Sequence, residues 1–478
     1  NYNVVVGDEA GTALTTGDAN VAVGYAALDA LDTGINNTTV GWSSGGALTQ
    51  GTRNTAIGYA SLDADTLGSK STALGYSALG AQNFTTATDS FNVAVGHEAG
   101  AAVTTGGHNT LIGGRAGDAL TDADHNVAVG QQALSSDTLG SRSVAIGQGA
   151  LFTQNFTTAT NSYNTAVGYE AGVAVTTGVQ NTIMGGLAGD ALTEGTRNIA
   201  IGTSALTSDT LGSRTVAIGG GTLLNQNFTT ATDSYNVAIG FTAGLAVTTG
   251  VQNVLIGGLA GDALTDADFN TAIGQQSLSA DTLGSRSTAV GWGALQAQNF
   301  TTATDVYNVA VGNLAGTAIS TGVQNTLIGG LAGDALTDAD FNIAIGTYAL
   351  TSDTLGSRSV AIGRSALQAQ NFTTATDSYN VAVGHEAGGA VTTGINNTLI
   401  GGLAGDAITT GNDNTSLGLH SLGANTLSNR NTAIGSSTLY SFNVASDTHT
   451  YNTAVGYGAG YAVTTGIRNT IVGALAGD

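Results

Sequence analysis

Three carboxylates stand within seven residues at Asp118, Asp122 and Asp124, and the trio returns at Asp262, Asp266, Asp268 and at Asp334, Asp338, Asp340. Such a set of oxygen donors could hold a hard cation such as Ca²⁺. The spacing matches neither an EF-hand loop nor the glycine-rich calcium nonapeptide, so a solvated acidic turn is the expectation. Six histidines, His97, His108, His125, His385, His420 and His449, never form an HxxH or HExxH pair and read as turn residues in water. No Ser, His and Asp set recurs in one region, and G-x-S-x-G is absent from any strand-to-helix context. GGLAGDAL at Gly257 and Gly329 lacks the Lys-Ser/Thr of a phosphate loop. No catalytic residue, cofactor or metal ligand is assigned, and the chain is not expected to be an enzyme.

Two further patterns concern binding. Lys70, Arg142, Arg214, Arg286 and Arg358 close DTLGSK or DTLGSR turns at 72-residue intervals, five residues after Asp65, Asp137, Asp209, Asp281 and Asp353. A local ion pair pinning each turn is the expectation, worth little if exposed. Following each turn by some distance, QNFTTATDSY or a close variant carries Phe84, Phe156, Phe228, Phe300 and Phe372. These rings either meet a receptor from a protruding loop or cap the interior. N-x-T sequons at Asn83, Asn155, Asn227, Asn299 and Asn371 lie in the same segments, as a Thr- and Asn-rich composition alone would produce.

The elements that position these residues follow from a fixed period, the strongest signal a sequence can carry. The motif N-[VIT]-x-[VILM]-G starts 27 times from Asn3 to Asn469, with Ser or Thr sometimes replacing its Asn; spacings are 17 residues, except that every fourth is 21, giving a 72-residue block. One continuous repeat domain over 1–478, its final coil cut short, is the expectation. A β-branched residue at position 2 and an aliphatic at position 4 mark a strand. Positions 2 and 4 are expected on one buried face. Position 3, mostly Ala but Leu or Ile at Leu111, Ile183, Leu255, Leu327, Leu399 and Ile471, is expected on the opposite face, covered by an identical chain. The segment after the glycine, apolar at positions 8, 11 and 12, fits a short strand better than one helical turn. Stacked coils then form an all-β parallel β-solenoid of 17- and 21-residue coils.

Composition removes other classes. Only 9% of residues are charged, Cys is absent, and 33 acidic residues against 11 basic ones leave a formal charge of −22. That field repels nucleic acid and anionic lipid. No apolar run is long enough to span a membrane, so neither nucleic acid nor membrane insertion by this segment is expected. Beginning at an Asn with no leader behind it, the chain reads as a processed or excerpted piece.

The runs NTAIGYASL at Asn54 and SVAIGQGAL at Ser143 resemble the head repeat of YadA-like trimeric autotransporter adhesins and the NTAIGYxAL repeats of bacteriophage tail fibres. The resemblance covers essentially the whole chain, although its period differs from the shorter repeat of the adhesin head. It implies a left-handed β-roll in a homotrimeric fibre, extracellular on a virion or cell surface. The function it implies is a shaft or adhesin that presents recurrent loops to a host or target cell-surface glycan or protein. An ice- or mineral-binding solenoid is the alternative, and a carbohydrate-active β-helix a more distant one.

Overall fold

A computed structural model of the chain describes residues 2–478, and it is all-β, with no helix among the described residues. The chain divides into two units, Asn1–Asn236 and Val237–Asp478. Within each unit every coil contributes one three-residue strand that pairs in parallel and in register with the next. In the first unit Val93–Val95 pairs with Thr110–Ile112, which pairs with Val127–Val129. In the second, Val309–Val311 pairs with Thr326–Ile328 and that with Ile343–Ile345. Ala94, Leu111 and Ala128 therefore lie directly above one another. This is a parallel β-solenoid.

Which strand face is inside differs from the sequence expectation. Position 3 is the interior face: Ala94, Leu111 and Ala128 are fully buried. Positions 2 and 4 point outward, with Val40, Leu74, Ile112, Ile146 and Met184 between 37% and 43% exposed. Both faces are apolar, so alternation could not tell them apart. Volume explains the leucines at position 3. Where position 3 is Leu111, position 9 of the same coil is Gly117, and a Cβ there would lie 2.8 Å from the Leu111 Cδ2. The same leucine reaches back beneath Gly100, whose Cβ would lie 2.6 Å from its Cδ1. In the next two coils the pair reverses, with Ala128 beside Leu134 and Ala145 beside Leu151, all fully buried. The large side chain changes position while the filled volume is kept, as a close-packed interior requires. Position 3 is thus covered within the chain itself, and no neighbouring chain is needed to bury it.

The second segment is neither strand nor helix. It is a run of turns closed by bonds such as Val103 N–H to the Gly100 carbonyl at 3.1 Å, and fastened to the next coil by Ala102 N–H to the Asp118 carbonyl at 3.0 Å. Glu98 and Gly100 both take the left-handed conformation, at φ 56° and 59°, which no strand or right-handed helix accommodates. At the strand's end Gly96 holds φ 144°, and a Cβ there would stand 2.4 Å from the carbonyl oxygen of Gly113 in the next coil. The invariant glycine is therefore set by the close approach of successive corners.

The coil-starting asparagines form a buried ladder beside the sheet. Asn181 is typical and fully buried. Its backbone N–H donates to Asn164 Oδ1 at 2.9 Å, its Nδ2 donates to the Gly195 carbonyl at 2.9 Å, and its Oδ1 accepts from the Asn198 N–H at 2.9 Å. Each amide thereby satisfies backbone groups that the short strand leaves over. Replacing Asn181 by Ala strands the Asn198 N–H and the Gly195 carbonyl, at a cost of about 3 kcal/mol for two unpaired buried groups. Amide exchange at Asn198 in Asn181→Ala should accelerate accordingly, while that of coils four or more away stays as in the parent; equal protection at Asn198 would contradict this account.

Candidate functional site

The residue immediately before each coil start, whether ladder asparagine or the Ser or Thr that replaces it, faces out. From Ala19 onward it is left-handed, between φ 50° at Tyr163 and φ 65° at Arg286, a conformation that costs a non-glycine residue about 1 kcal/mol. Its N–H is held by the previous coil, as in Lys70 N–H to the Thr52 carbonyl at 3.0 Å and Gln180 N–H to the Ser162 carbonyl at 2.7 Å. Nine of the 11 basic residues stand at this one coil position, Arg53, Lys70, Arg142, Arg197 and Arg214 in the first unit and Arg286, Arg358, Arg430 and Arg468 in the second. Between them come Phe91, Tyr163, Tyr235, Tyr307 and Tyr379, each 46–53% exposed.

Arginine and aromatic planes interleave along this edge. Arg286 lies 4.8 Å from the Phe269 ring centre and 5.9 Å from that of Tyr307. Arg358 repeats the arrangement with Phe341 at 4.9 Å and Tyr379 at 5.9 Å. In the first unit Arg214 lies 5.5 Å from the Tyr235 ring centre and donates to its hydroxyl at 2.8 Å. At exposed sites such cation–π contacts contribute about 0.5–1 kcal/mol each.

The expected ion pairs to the aspartates five residues earlier are not formed. The basic groups pair forward instead: Lys70 with Asp89 at 2.6 Å, Arg286 with Asp305 at 2.8 Å, Arg358 with Asp377 at 2.9 Å, and Arg214 with Asp233. Arg142 donates to Asn161 at 3.0 Å. The reason is burial. Asp65, Asp137, Asp209, Asp281 and Asp353 are fully buried, on the other side of the backbone from the outward column.

Those buried aspartates anchor the long coils. Asp137 Oδ1 accepts from the N–H groups of Gly140 at 3.0 Å and Phe156 at 3.1 Å, and its Oδ2 accepts from Gln154 Nε2 at 2.6 Å. Gln154 also donates to Ser143 Oγ at 2.8 Å, and its Oε1 accepts from Asn164 Nδ2 at 2.8 Å. Ser143 interrupts the asparagine ladder, and the Gln154 amide bridges the gap. Gly140 leaves room for the carboxylate, since a Cβ there would lie 2.1 Å from Asp137 Oδ2.

Phe84, Phe156, Phe228, Phe300 and Phe372 belong to this anchor. They are 5–7% exposed, so as placed they cap the interior. The outer surface of the insertion consists of Thr157, Thr158 and Ala159, with the edge column beside it. In the last block the whole anchor changes together. Asn425, Ser428, Asn431, Phe442 and Val444 stand where Asp137, Gly140, Ser143, Gln154 and Phe156 stand earlier. Phe442 is fully buried, and Asn431 resumes the ladder, its Oδ1 accepting from the Asn452 N–H at 3.3 Å. Carboxylate and glutamine leave as a pair, as expected if either alone would be an unpaired buried polar group.

The acidic trio does not converge. Asp118 accepts from Ser135 Oγ at 2.5 Å, Asp122 from Thr105 Oγ1 at 2.6 Å, and Asp124 from the Gly107 N–H at 2.7 Å. Among the described residues no group of three His, Cys, Asp or Glu side chains is placed to hold a metal ion. His108 and His125 stand in the edge column, and the N–H of His108 donates to the Ser90 carbonyl at 2.7 Å. The sequons are tied down as well, with Asn83 Oδ1 accepting from Thr66 Oγ1 at 3.0 Å. The chain matches no family model and no curated protein.

Burial pushes the carboxyls of Asp65, Asp137 and Asp209 above the ordinary aspartate range, while hydrogen bonds from the glutamine, phenylalanine and glycine pull the other way. A carboxyl raised in the folded state favours folding in its neutral form. That contribution is complete below the unfolded value near pH 4 and is lost as pH rises through the folded value. The melting temperature should therefore fall across that window, and it should fall less steeply in Asp65→Asn/Asp137→Asn/Asp209→Asn. Parallel curves for the two proteins would exclude this source of pH dependence.

Proposed function

We propose that the chain is a segment of a structural fibre or adhesin shaft, extracellular on a virion or cell surface, that presents its outward edge to a glycan or protein of a target cell. The observation that carries this reading is the edge column. A half-exposed tyrosine flanked by arginine recurs every 72 residues, at Tyr163, Tyr235, Tyr307 and Tyr379, on a backbone that contributes one near-identical rung per coil. Within a unit the recurrence is about 19 Å, four coils at sheet spacing. Weak contacts repeated at fixed intervals combine through effective concentration. Tyrosine and arginine are also the side chains that most often dominate recognition surfaces.

The outward strand face supports self-association. Positions 2 and 4 present a stripe of Val, Ile, Leu, Met and Thr without a charge, and exposed apolar patches of such extent mark interaction surfaces. Three chains meeting on this face, in the left-handed sense that the adhesin and tail-fibre resemblance implies, would bury it. No helix among the described residues is long and apolar enough to cross a membrane.

Two measurements test the proposal. Sedimentation should give about three times the 47.0 kDa chain mass, and Ile112→Lys/Ile146→Lys should shift it toward the monomer without loss of β-sheet circular dichroism. A folded monomer at every concentration would end the trimer reading. For recognition, Tyr→Ala at positions 163, 235, 307 and 379 should lower cell adhesion stepwise with unchanged melting. Adhesion untouched by all four changes would place recognition elsewhere. Deleting an insertion is the poorer test, because it would strand the buried aspartate beneath.

A second reading, ice binding, draws on the same outward face, where position 2 is Val, Ile or Thr in every coil. Thermal hysteresis with retained monomer would favour it over the fibre.

A further inference from the structure

A second outward column, at position 6 of the coil, carries a stack of rings that stops short. Tyr25, Trp42, Tyr59, Tyr76 and His97 lie on successive coils, with ring centres 5.8, 4.7, 5.1 and 5.1 Å apart and planes within 13° of parallel. Each inner ring has both faces covered by its neighbours. His97, the last, has one face covered by Tyr76, and the next coil offers only Gly114.

That glycine is not required by the fold. Its φ lies outside the left-handed region, and a Cβ built on it would meet nothing within 4 Å. Its carbonyl is satisfied by the Gln132 N–H at 3.0 Å. The place where the sixth ring would stand is a cleft of about 430 Å³ lined by His97, Gly114, Arg115, Gln131 and Gln132. His97 forms one end, Gly114 the floor, and Gln131, in the same column one coil further on, the other end. Rungs two coils apart are separated by about 9.6 Å, so one rung is vacant and one planar group fills it. Arg115 is paired with Glu98, Nε to Oε2 at 3.0 Å, and the same carboxylate oxygen lies 3.6 Å from His97 Nδ1 at the edge of the ring.

We infer that this cleft is a binding site for a single planar aromatic ring, which enters as the missing rung and stacks on the open face of His97. Stacked or offset aromatic pairs are favourable beyond the area they bury. The amides of Gln131 and Gln132 supply donors and acceptors for a polar ring edge, so a phenol or an indole suits the lining better than a bare hydrocarbon ring. A polyanionic nucleic acid is disfavoured by the chain's formal charge of −22. The arrangement is repeated in outline further along, where half-exposed Tyr169 precedes Gly186 and exposed Phe241 precedes Gly258, again with nothing within 4 Å of either added Cβ. The inference is independent of the fibre reading.

The test is a titration of the full chain with p-cresol and with indole, following the His97 ring resonance by NMR in histidine-labelled protein. A saturable upfield ring-current shift is expected. Gly114→Trp should complete the stack, keep the fold and abolish the shift. His97→Ala should weaken binding about fivefold, the equivalent of one aromatic pair, and His97→Phe, read by equilibrium dialysis, should restore it. The inference is overturned if no saturable shift appears, if Gly114→Trp binds as the parent does, or if methyl glucoside shifts His97 while neither ring compound does.

Discussion

The hydrogen-bonded asparagine that starts most coils is the constraint on which the rest of this protein depends. A strand of three residues cannot hold a coil closed by itself, and the turns around it leave backbone groups to satisfy. The buried amide reaches the N–H of the next coil start and the carbonyl of a turn, and so fixes coil upon coil in one register. Once that register is fixed, every position of the coil becomes a column. Interior columns must then be balanced for volume and outer columns for charge and stacking. The exchange of Leu between positions 3 and 9 is one such balance, and the interleaving of Arg286 with Phe269 and Tyr307 is another.

Interrupting the ladder is costly, and the long coils show how the cost is met. Ser143 cannot reach as far as an asparagine, so Gln154 spans the gap, held from beneath by Asp137. A buried carboxylate is tolerable there because three donors surround it. The variant block, where the Asn431 amide restores the ladder and Phe442 fills the space of the glutamine, amounts to a natural control. It shows two self-consistent solutions for one long coil, with no mixture of the two.

Much of this was legible in the residues. The period, the strand at positions 2 to 4, the parallel stacking and the alternation of 17 and 21 residues follow from spacing alone. The inner and outer faces of the strand did not, because Ala at position 3 and Val or Ile at positions 2 and 4 are all apolar, and only packing volume decides between them. The partner of each basic residue was hidden for a related reason: Asp65 is near Lys70 in sequence but inside the coil, while Asp89 is brought beside it by a register that sequence distance does not display. The phenylalanines looked like recognition residues because an inserted segment suggests a protruding loop. Here half the insertion folds inward. The edge column itself was present as a signal, in the concentration of Arg, Tyr and Phe just before the Asn, but it becomes visible only when that one position is read down the whole chain.

Placing nearly all basic residues in that column also bears on durability. A trypsin-like protease cuts after Lys or Arg and must draw several residues on each side of the bond into an extended form. In this chain the bond after Arg197 or Arg214 joins a left-handed residue to a ladder residue, and the N–H groups on both sides are engaged, Arg197 with the Val179 carbonyl at 3.0 Å and Asn198 with Asn181 Oδ1 at 2.9 Å. Cleavage would require peeling a coil from both neighbours, so digestion is governed by local opening and not by the visibility of the side chain. The edge that displays the molecule's most conspicuous groups thus keeps the adjoining backbone bonded to the coils on both sides.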